Sequence, residues 1–251
     1  MRRNLLRYQE ALDDSRKASI TEPQNAKVLH RLARILTSLG RPTEALSVLD
    51  QISSFTQVTP QDKAPAFSMQ TYIGQAEKAI HEGTAGSLVI HALDQAEKGL
   101  GLGIERPRKW QLLRGEAYLK MGNINSLGQA QDVTMTLLRR NQNDPEALVL
   151  RGRIFYNEGD NAKALQHFKK ALGCDPDYKD AVKYLRMVQK LDRMKDEGNA
   201  LYKTGKNQQA VEAYSQALEV DPGNKLINSK IVHNRALAYT KVGLIFISTT
   251  G

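Results

Sequence analysis

The sequence predicts an all-α protein, a right-handed α-solenoid of stacked helix-turn-helix repeats. Residues 191–224 read LDRMKDEGNALYKTGKNQQAVEAYSQALEVDPGN. Counting from Gly198, this stretch places Gly205, Ala210, Tyr214, Ala217 and Pro222 at offsets +7, +12, +16, +19 and +24. One repeat upstream, Gly152, Gly159, Ala164, Phe168, Ala171 and Pro176 hold the same offsets. Composition agrees with this reading, because 25% charged and only 6% aromatic residues suit helices packed through small side chains.

Each position has a physical reason. Small residues at 0, +12 and +19 let two antiparallel helices approach closely, with the aromatic at +16 filling the space between them. Glycine at +7 permits the left-handed turn that ends the first helix. Proline at +24 stops the second helix and redirects the chain. No single pair buries its apolar face alone, so neighbouring pairs must stack. A self-similar unit of about 34 residues with these features resembles the tetratricopeptide repeat.

Taken in order, the chain opens on the second-helix half of a unit. Ala11, Ser15, Ala18 and Pro23 reproduce the spacing of Ala164, Phe168, Ala171 and Pro176. Nothing precedes Met1 to supply a first helix, so the expectation is a capping helix or a chain that starts inside a repeat. In the second unit Ala33, Gly40, Ala45, Leu49 and Ile52 occupy the register. Residues 28–39 predict an amphipathic helix with Leu29, Leu32, Ile35, Leu36 and Leu39 on one face, and Pro42 is suited to the first turn of its partner. Residues 53–65 read as a polar, proline-containing loop. The third unit has Ala76 and Gly83, a displaced second helix over 87–100, and a glycine-rich end at 99–103. The fourth has Gly115, Tyr118, Gly122 and a shifted Ala130, with Trp110 read as a packing residue between repeats.

The fifth unit, residues 145–178, is regular. The insert KDAVKYLRMVQK at 179–190 is itself helical in pattern and predicts the domain boundary. The expected organisation is a first array over 1–178 with an incomplete first repeat, an extended connecting helix over 179–190, and a second array over 191–251. A seventh unit begins near Ser229 with Ala236, Tyr239 and Gly243, then reads LIFISTTG where a second helix is expected. The second array is therefore expected to be truncated in its second repeat. An apolar face left uncovered there predicts reduced solubility or dimerisation through that end.

The net charge of +9, with a sequence pI near 9.5, favours an anionic partner. Cys174 is the only cysteine, which excludes an intrachain disulfide and a cysteine-based zinc site. The N-terminus turns acidic before a signal-peptide core can form. No run approaches the roughly 18 apolar residues of a membrane helix, so the chain is expected to be soluble and cytoplasmic, with no membrane partner. The five histidines form no HExxH and have no histidine four residues away. There is no GxxxxGK[ST] loop, no GxGxxG after a strand and no Gly-x-Ser-x-Gly elbow. The GxGxG within 99–103 follows a helix and reads as a linker. The expectation is a protein without catalytic residues, metal or cofactor.

The groove residues of the last complete repeat carry the functional reading. Lys195 and Asn199 are four apart on one helix and share a face. Asn234 falls at the matching level of the next repeat's first helix. A lysine with two asparagines makes a receptor for a carboxylate, with charge from the ammonium and directional bonds from the amides. KDEGNALYKTGKNQQAVEAYSQALEVDP and the following HNRALAY resemble the carboxylate-clamp repeats of chaperone-binding tetratricopeptide domains. That resemblance implies that Lys195, Asn199 and Asn234 are peptide-binding positions of a partial clamp, since two further basic residues of the family's clamp have no counterpart here. The implied partners are the acidic Glu-Glu-Val-Asp tails of the 70-kDa and 90-kDa heat-shock proteins, along with client polypeptides.

Over a longer span, and most of all in CDPDYKDAVKYLRMVQKLDRMKDEGNA at 174–200, the chain is similar to fungal-type J-domain co-chaperones. Those proteins place two tetratricopeptide arrays before a C-terminal J domain. No His-Pro-Asp tripeptide occurs in this sequence, so stimulation of a chaperone ATPase is not implied. The reading is a non-catalytic co-chaperone or adaptor in protein folding. Its alternatives are a general interaction scaffold and an RNA-binding repeat protein. The dispersed Arg and Lys residues, with no interleaved aromatics, argue against RNA.

Overall fold

The computed structural model describes the backbone of residues 2–249 and the side chains of residues 7–243. The described residues form twelve α-helices and no strand: α1 (Arg2–Thr21), α2 (Ala26–Ser38), α3 (Pro42–Ser53), α4 (Pro60–His81), α5 (Gly86–Glu97), α6 (Arg108–Met121), α7 (Ile124–Arg140), α8 (Pro145–Asn157), α9 (Asn161–Cys174), α10 (Lys179–Lys203), α11 (Asn207–Val220) and α12 (Lys225–Thr249). They divide into two compact units, Met1–Val133 and Thr134–Gly251, with the division falling inside α7.

Within the first unit each helix from α1 to α5 packs on its successor, and α2 touches α4, which touches α6. Within the second unit α8 to α12 pack successively, and α10 touches both α8 and α12. First helices of neighbouring repeats therefore lie side by side within each unit. This is the stacked helix-turn-helix arrangement that the periodicity predicts.

The repeat positions behave as their chemistry requires. Gly40, Gly83, Gly122, Gly159 and Gly205, all at +7 positions, have φ between 66° and 79°. A Cβ on Gly152 would lie 2.5 Å from the Phe168 ring, and one on Gly198 would lie 2.6 Å from the Tyr214 ring. Ala164, Ala171, Ala210 and Ala217 are fully buried. In α2 the predicted stripe is buried through Leu29, Leu32, Ile35 and Leu36, and Asn25 caps the helix by accepting from the Lys27 and Val28 amides. Trp110 is buried in a core with Met69, Val89, Leu93 and Ala117, the packing role expected of it.

Three local expectations are corrected. The loop placed at 53–65 ends at Thr59, because Thr59 and Asp62 form a capping box around Pro60 and launch α4 there. Pro65 lies inside α4 and removes only one backbone bond near its start. The helix expected over 87–100 is α5, Gly86–Glu97, and residues 98–100 already belong to the turn. Gly243 does not end the first helix of the last repeat, because α12 continues through it to Thr249. No proline follows Gly243 to break the continued helical bonding. The side chains of 244–247, on which the uncovered apolar face was expected, lie outside the described residues.

Residues 179–190 are helical and continuous with 191–203 in α10. Ala181 and Val188 from this stretch share one core with Leu148, Phe168, Tyr214 and Ile231. Tyr184 stacks on Phe168 at 5.8 Å between ring centroids.

Two predictions arise from these contacts. Thr59→Ala deletes half of the capping box and is expected to cost about 1 kcal/mol. Faster amide exchange confined to the first turns of α4 is the readout. In the second unit, the Tyr156 hydroxyl donates to Asp221 Oδ2 at 2.9 Å, and Asn224 Nδ2 donates to the Tyr156 carbonyl at 3.1 Å. Burial, reinforced by the Asp221 charge, pushes the Tyr156 phenol well above its ordinary value. The folded state thus favours the protonated phenol. Its contribution is fully present below pH ~10, the unfolded tyrosine pKa, and is lost as pH rises beyond it. Urea midpoints at pH 8 and 11 should fall less in Tyr156→Phe than in the parent chain. An equal fall would remove this account of alkaline destabilisation.

Candidate functional site

Helices α10, α11 and α12 build a small cavity from residues that the repeat pattern places at adjacent levels. Gly198 lacks a Cβ, so the Tyr214 ring of α11 lies directly against α10. In that position the Tyr214 hydroxyl donates to Asn199 Oδ1 at 2.8 Å. From α12, Asn234 Nδ2 donates to the same oxygen at 3.2 Å. With Oδ1 engaged twice, the Asn199 amide has one orientation, and its Nδ2 is left to donate elsewhere. Arg235 ties α12 to α11 through Nη1 to Ser215 Oγ at 3.1 Å. Burial pushes the Tyr214 phenol upward, with the neighbouring Tyr202 contributing.

The resulting cavity holds about 220 Å³ and is lined by Asn199, Tyr202, Lys203, Tyr214, Asn234 and Leu237. Its wall contains amide donors, one ammonium-bearing side chain, aromatic rings and a leucine, and no carboxylate. Chemically it suits an anionic group that accepts hydrogen bonds, with an apolar moiety beside it.

Of the three residues singled out in the sequence, Asn199 and Asn234 meet directly. Lys195 does not line the cavity. Its Nζ pairs with Asp192 Oδ1 at 2.8 Å and lies 3.8 Å from Asp196. Asp192 also accepts from Asn161 Nδ2 at 2.8 Å, which fixes the carboxylate that holds Lys195. Lys203, one turn beyond Asn199 on α10, lines the cavity instead and makes no ion pair among the described residues. The sequence did signal Lys203, since it bears the same i, i+4 relation to Asn199 as Lys195 does on the other side. Among the described residues no group of His, Cys, Asp and Glu could hold a metal ion. Among the described residues no helix is long and apolar enough to cross a membrane.

Comparison with known proteins agrees with this repeat architecture. A TPR repeat family model matches residues 198–246, and tetratricopeptide repeat models match 7–61 and 112–179. The DnaJ homolog subfamily C member 7 homolog of Schizosaccharomyces pombe is 35% identical over 187 residues, covering 74% of this chain and 38% of that protein. Its Dictyostelium discoideum counterpart is 27% identical over 243 residues, covering 94% of this chain and 43% of that protein. The chain thus spans about two fifths of the length of these relatives. The crystal structure of the P58(IPK) TPR domain superposes with a TM-score of 0.49 at 19% identity, covering 93% of this chain and 64% of that one. Stacked helix pairs, glycine-on-aromatic contacts at the repeat offsets and three matched stretches lead to one assignment: the chain belongs to the tetratricopeptide-repeat family and is similar to the repeat region of the DnaJ homolog subfamily C member 7 proteins.

Proposed function

We propose that this chain is a non-catalytic co-chaperone adaptor that binds acidic C-terminal peptides, with the repeats after residue 191 as the peptide-binding array. The observation that carries the reading is the Asn199–Asn234 amide pair, locked by Tyr214 at the wall of a cavity without carboxylates. Asn199 and Asn234 donate to the terminal carboxylate, and Lys203 supplies positive charge from the rim. Lys195 joins them only if the incoming carboxylate draws it away from Asp192. The partners favoured by the resemblance are the Glu-Glu-Val-Asp tails of 70-kDa and 90-kDa heat-shock proteins, and the DnaJ-homolog relatives support a role in protein folding.

Titration with a free-acid Glu-Glu-Val-Asp peptide and with its C-terminal amide tests the reading. The free acid should bind more tightly, and Asn199→Ala should weaken it by roughly tenfold, the effect of losing one charge-assisted hydrogen bond. Equal affinity for acid and amide would sink the proposal. One observation favours a second reading: the Lys195–Asp192 pair leaves the expected clamp lysine neutralised. In that reading the groove serves another protein partner, and partners captured by the chain would survive both Asn199→Ala and Lys203→Ala.

A further inference from the structure

The first compact unit contains a second groove of about 590 Å³, built on the exposed face of α2. Lys27, Arg31 and Arg34 line it at i, i+4 and i+7, with His30 between them, opposite the buried stripe of Leu29, Leu32 and Leu36. All three cationic side chains are exposed, and none has a hydrogen-bond or ion-pair partner among the described residues. Several basic groups elsewhere in this unit are matched: Arg41 and Arg16 by Glu44, Lys63 by Asp50, and Arg114 by Asp94 and Glu97. The groove wall itself contains no carboxylate. Glu10 and Asp14 border Arg31 only from a neighbouring depression, and Asp62, beside Arg34, is occupied with the Thr59 cap.

The glycine-rich segment that reads as a linker in the sequence packs on two residues of the groove wall, Ser38 and Tyr8. The Gly101 amide donates to the Ser38 carbonyl at 2.9 Å. Gly101 also packs so closely on Tyr8 that a Cβ there would lie 2.5 Å from the Tyr8 hydroxyl oxygen. The loop is therefore docked against Tyr8 and the last turn of α2.

We propose that this groove binds an internal acidic segment of a partner protein, recognised through side-chain carboxylates and not through a chain terminus. It has unmatched cations but no counterpart of the Asn199–Asn234 amide pair. From Lys27 to Arg34 the helix rises about 10 Å, which an extended peptide covers in about three residues. Glutamates or aspartates at alternate positions of such a segment lie on one face, about 7 Å apart, and their flexible stems let them reach the three cations. The wall holds two rings, Tyr8 and His30, and Tyr8 has its hydroxyl end against Gly101, so no row of rings is available for base stacking. The inference is independent of the Asn199 cavity.

The test is fluorescence anisotropy on the full chain with a labelled, C-terminally amidated peptide carrying glutamates at three alternate positions. It should bind, weaken as salt rises, and lose at least about tenfold in affinity with the Arg31→Glu/Arg34→Glu double variant. Replacing the peptide's glutamates by glutamine should have the same effect, and Asn199→Ala should have none. Arg31→Gln/Arg34→Gln, with thermal unfolding monitored, separates lost recognition from lost folding. Equal binding of the glutamine peptide, or undiminished binding by both double variants, would overturn the proposal. So would a single-stranded oligoribonucleotide that binds this face more tightly than the peptide.

Discussion

Arg114→Ala is expected to destabilise the first unit by about 3 kcal/mol, the lower end of the range for breaking a buried ion pair. The Arg114 side chain is 5% exposed, and Nη2 lies 2.6 Å from Asp94 Oδ1 and 2.8 Å from Glu97 Oε1. Burial alone would depress the guanidinium pKa, but Asp94, Tyr118 and Glu97 outweigh it and hold the group charged. Glu97 is gripped a second time by Arg106 at 2.8 Å, so one carboxylate joins α5, the 98–107 segment and α6. Removing Arg114 leaves Glu97, only 15% exposed, with a single partner at the edge of the core, while Asp94, 53% exposed, returns to water at little cost. That asymmetry places the estimate at the low end. Arg114→Met, which fills the space without a charge, should lose less than Arg114→Ala. Amide exchange in α5 and α6 is the measurement, and a loss under about 1 kcal/mol in the alanine variant would reduce the network to the level of surface pairs.

The repeat register was legible because it depends on contacts between positions at fixed offsets. Gly152 against Phe168 and Gly198 against Tyr214 are set by sequence spacing alone, and so are the left-handed turns at Gly40, Gly83, Gly122, Gly159 and Gly205. Gly243 shows where that logic stops. A glycine permits a left-handed turn but does not compel it, and with no proline after Gly243 α12 runs on. The start of α4 was hidden for the opposite reason: Pro60 and Pro65 suggested a break, while Thr59 and Asp62 supply the bonds that make Pro60 a helix start.

At the candidate site, helical spacing was enough to place Asn199 and Asn234 at one level. It could not tell Lys195 from Lys203, since both are four residues from Asn199. What separates them is Asp192, whose position beside Lys195 is fixed by Asn161 from α9, a contact 31 residues away in sequence. The basic groove on α2 escaped the sequence reading because its distinguishing property is the lack of partners. Charge counts do not show which lysines and arginines are already matched.

Tyr214 joins packing to recognition, and two substitutions there should separate the roles. Tyr214→Ala empties the space above Gly198 and is expected to cost about 3–5 kcal/mol, the range for deleting a fully buried aromatic side chain. That loss would appear as a lower urea midpoint for the second unit and would take the cavity with it. Tyr214→Phe keeps the ring and removes only the hydroxyl that donates to Asn199 Oδ1. Its stability cost should be about 1 kcal/mol, one hydrogen bond. Its effect on recognition follows from the amide it releases. Asn199 Oδ1 then keeps only Asn234 as a donor, and the side chain can turn its oxygen toward the incoming carboxylate, an orientation that repels it. Affinity for a free-acid acidic peptide should fall about fivefold, with the amidated peptide unchanged, because only the terminal carboxylate reads that amide. If Tyr214→Phe binds the free acid as tightly as the parent while Asn199→Ala does not, Asn234 alone orients the amide. The hydroxyl of Tyr214 would then belong to the packing of the repeat and not to the site.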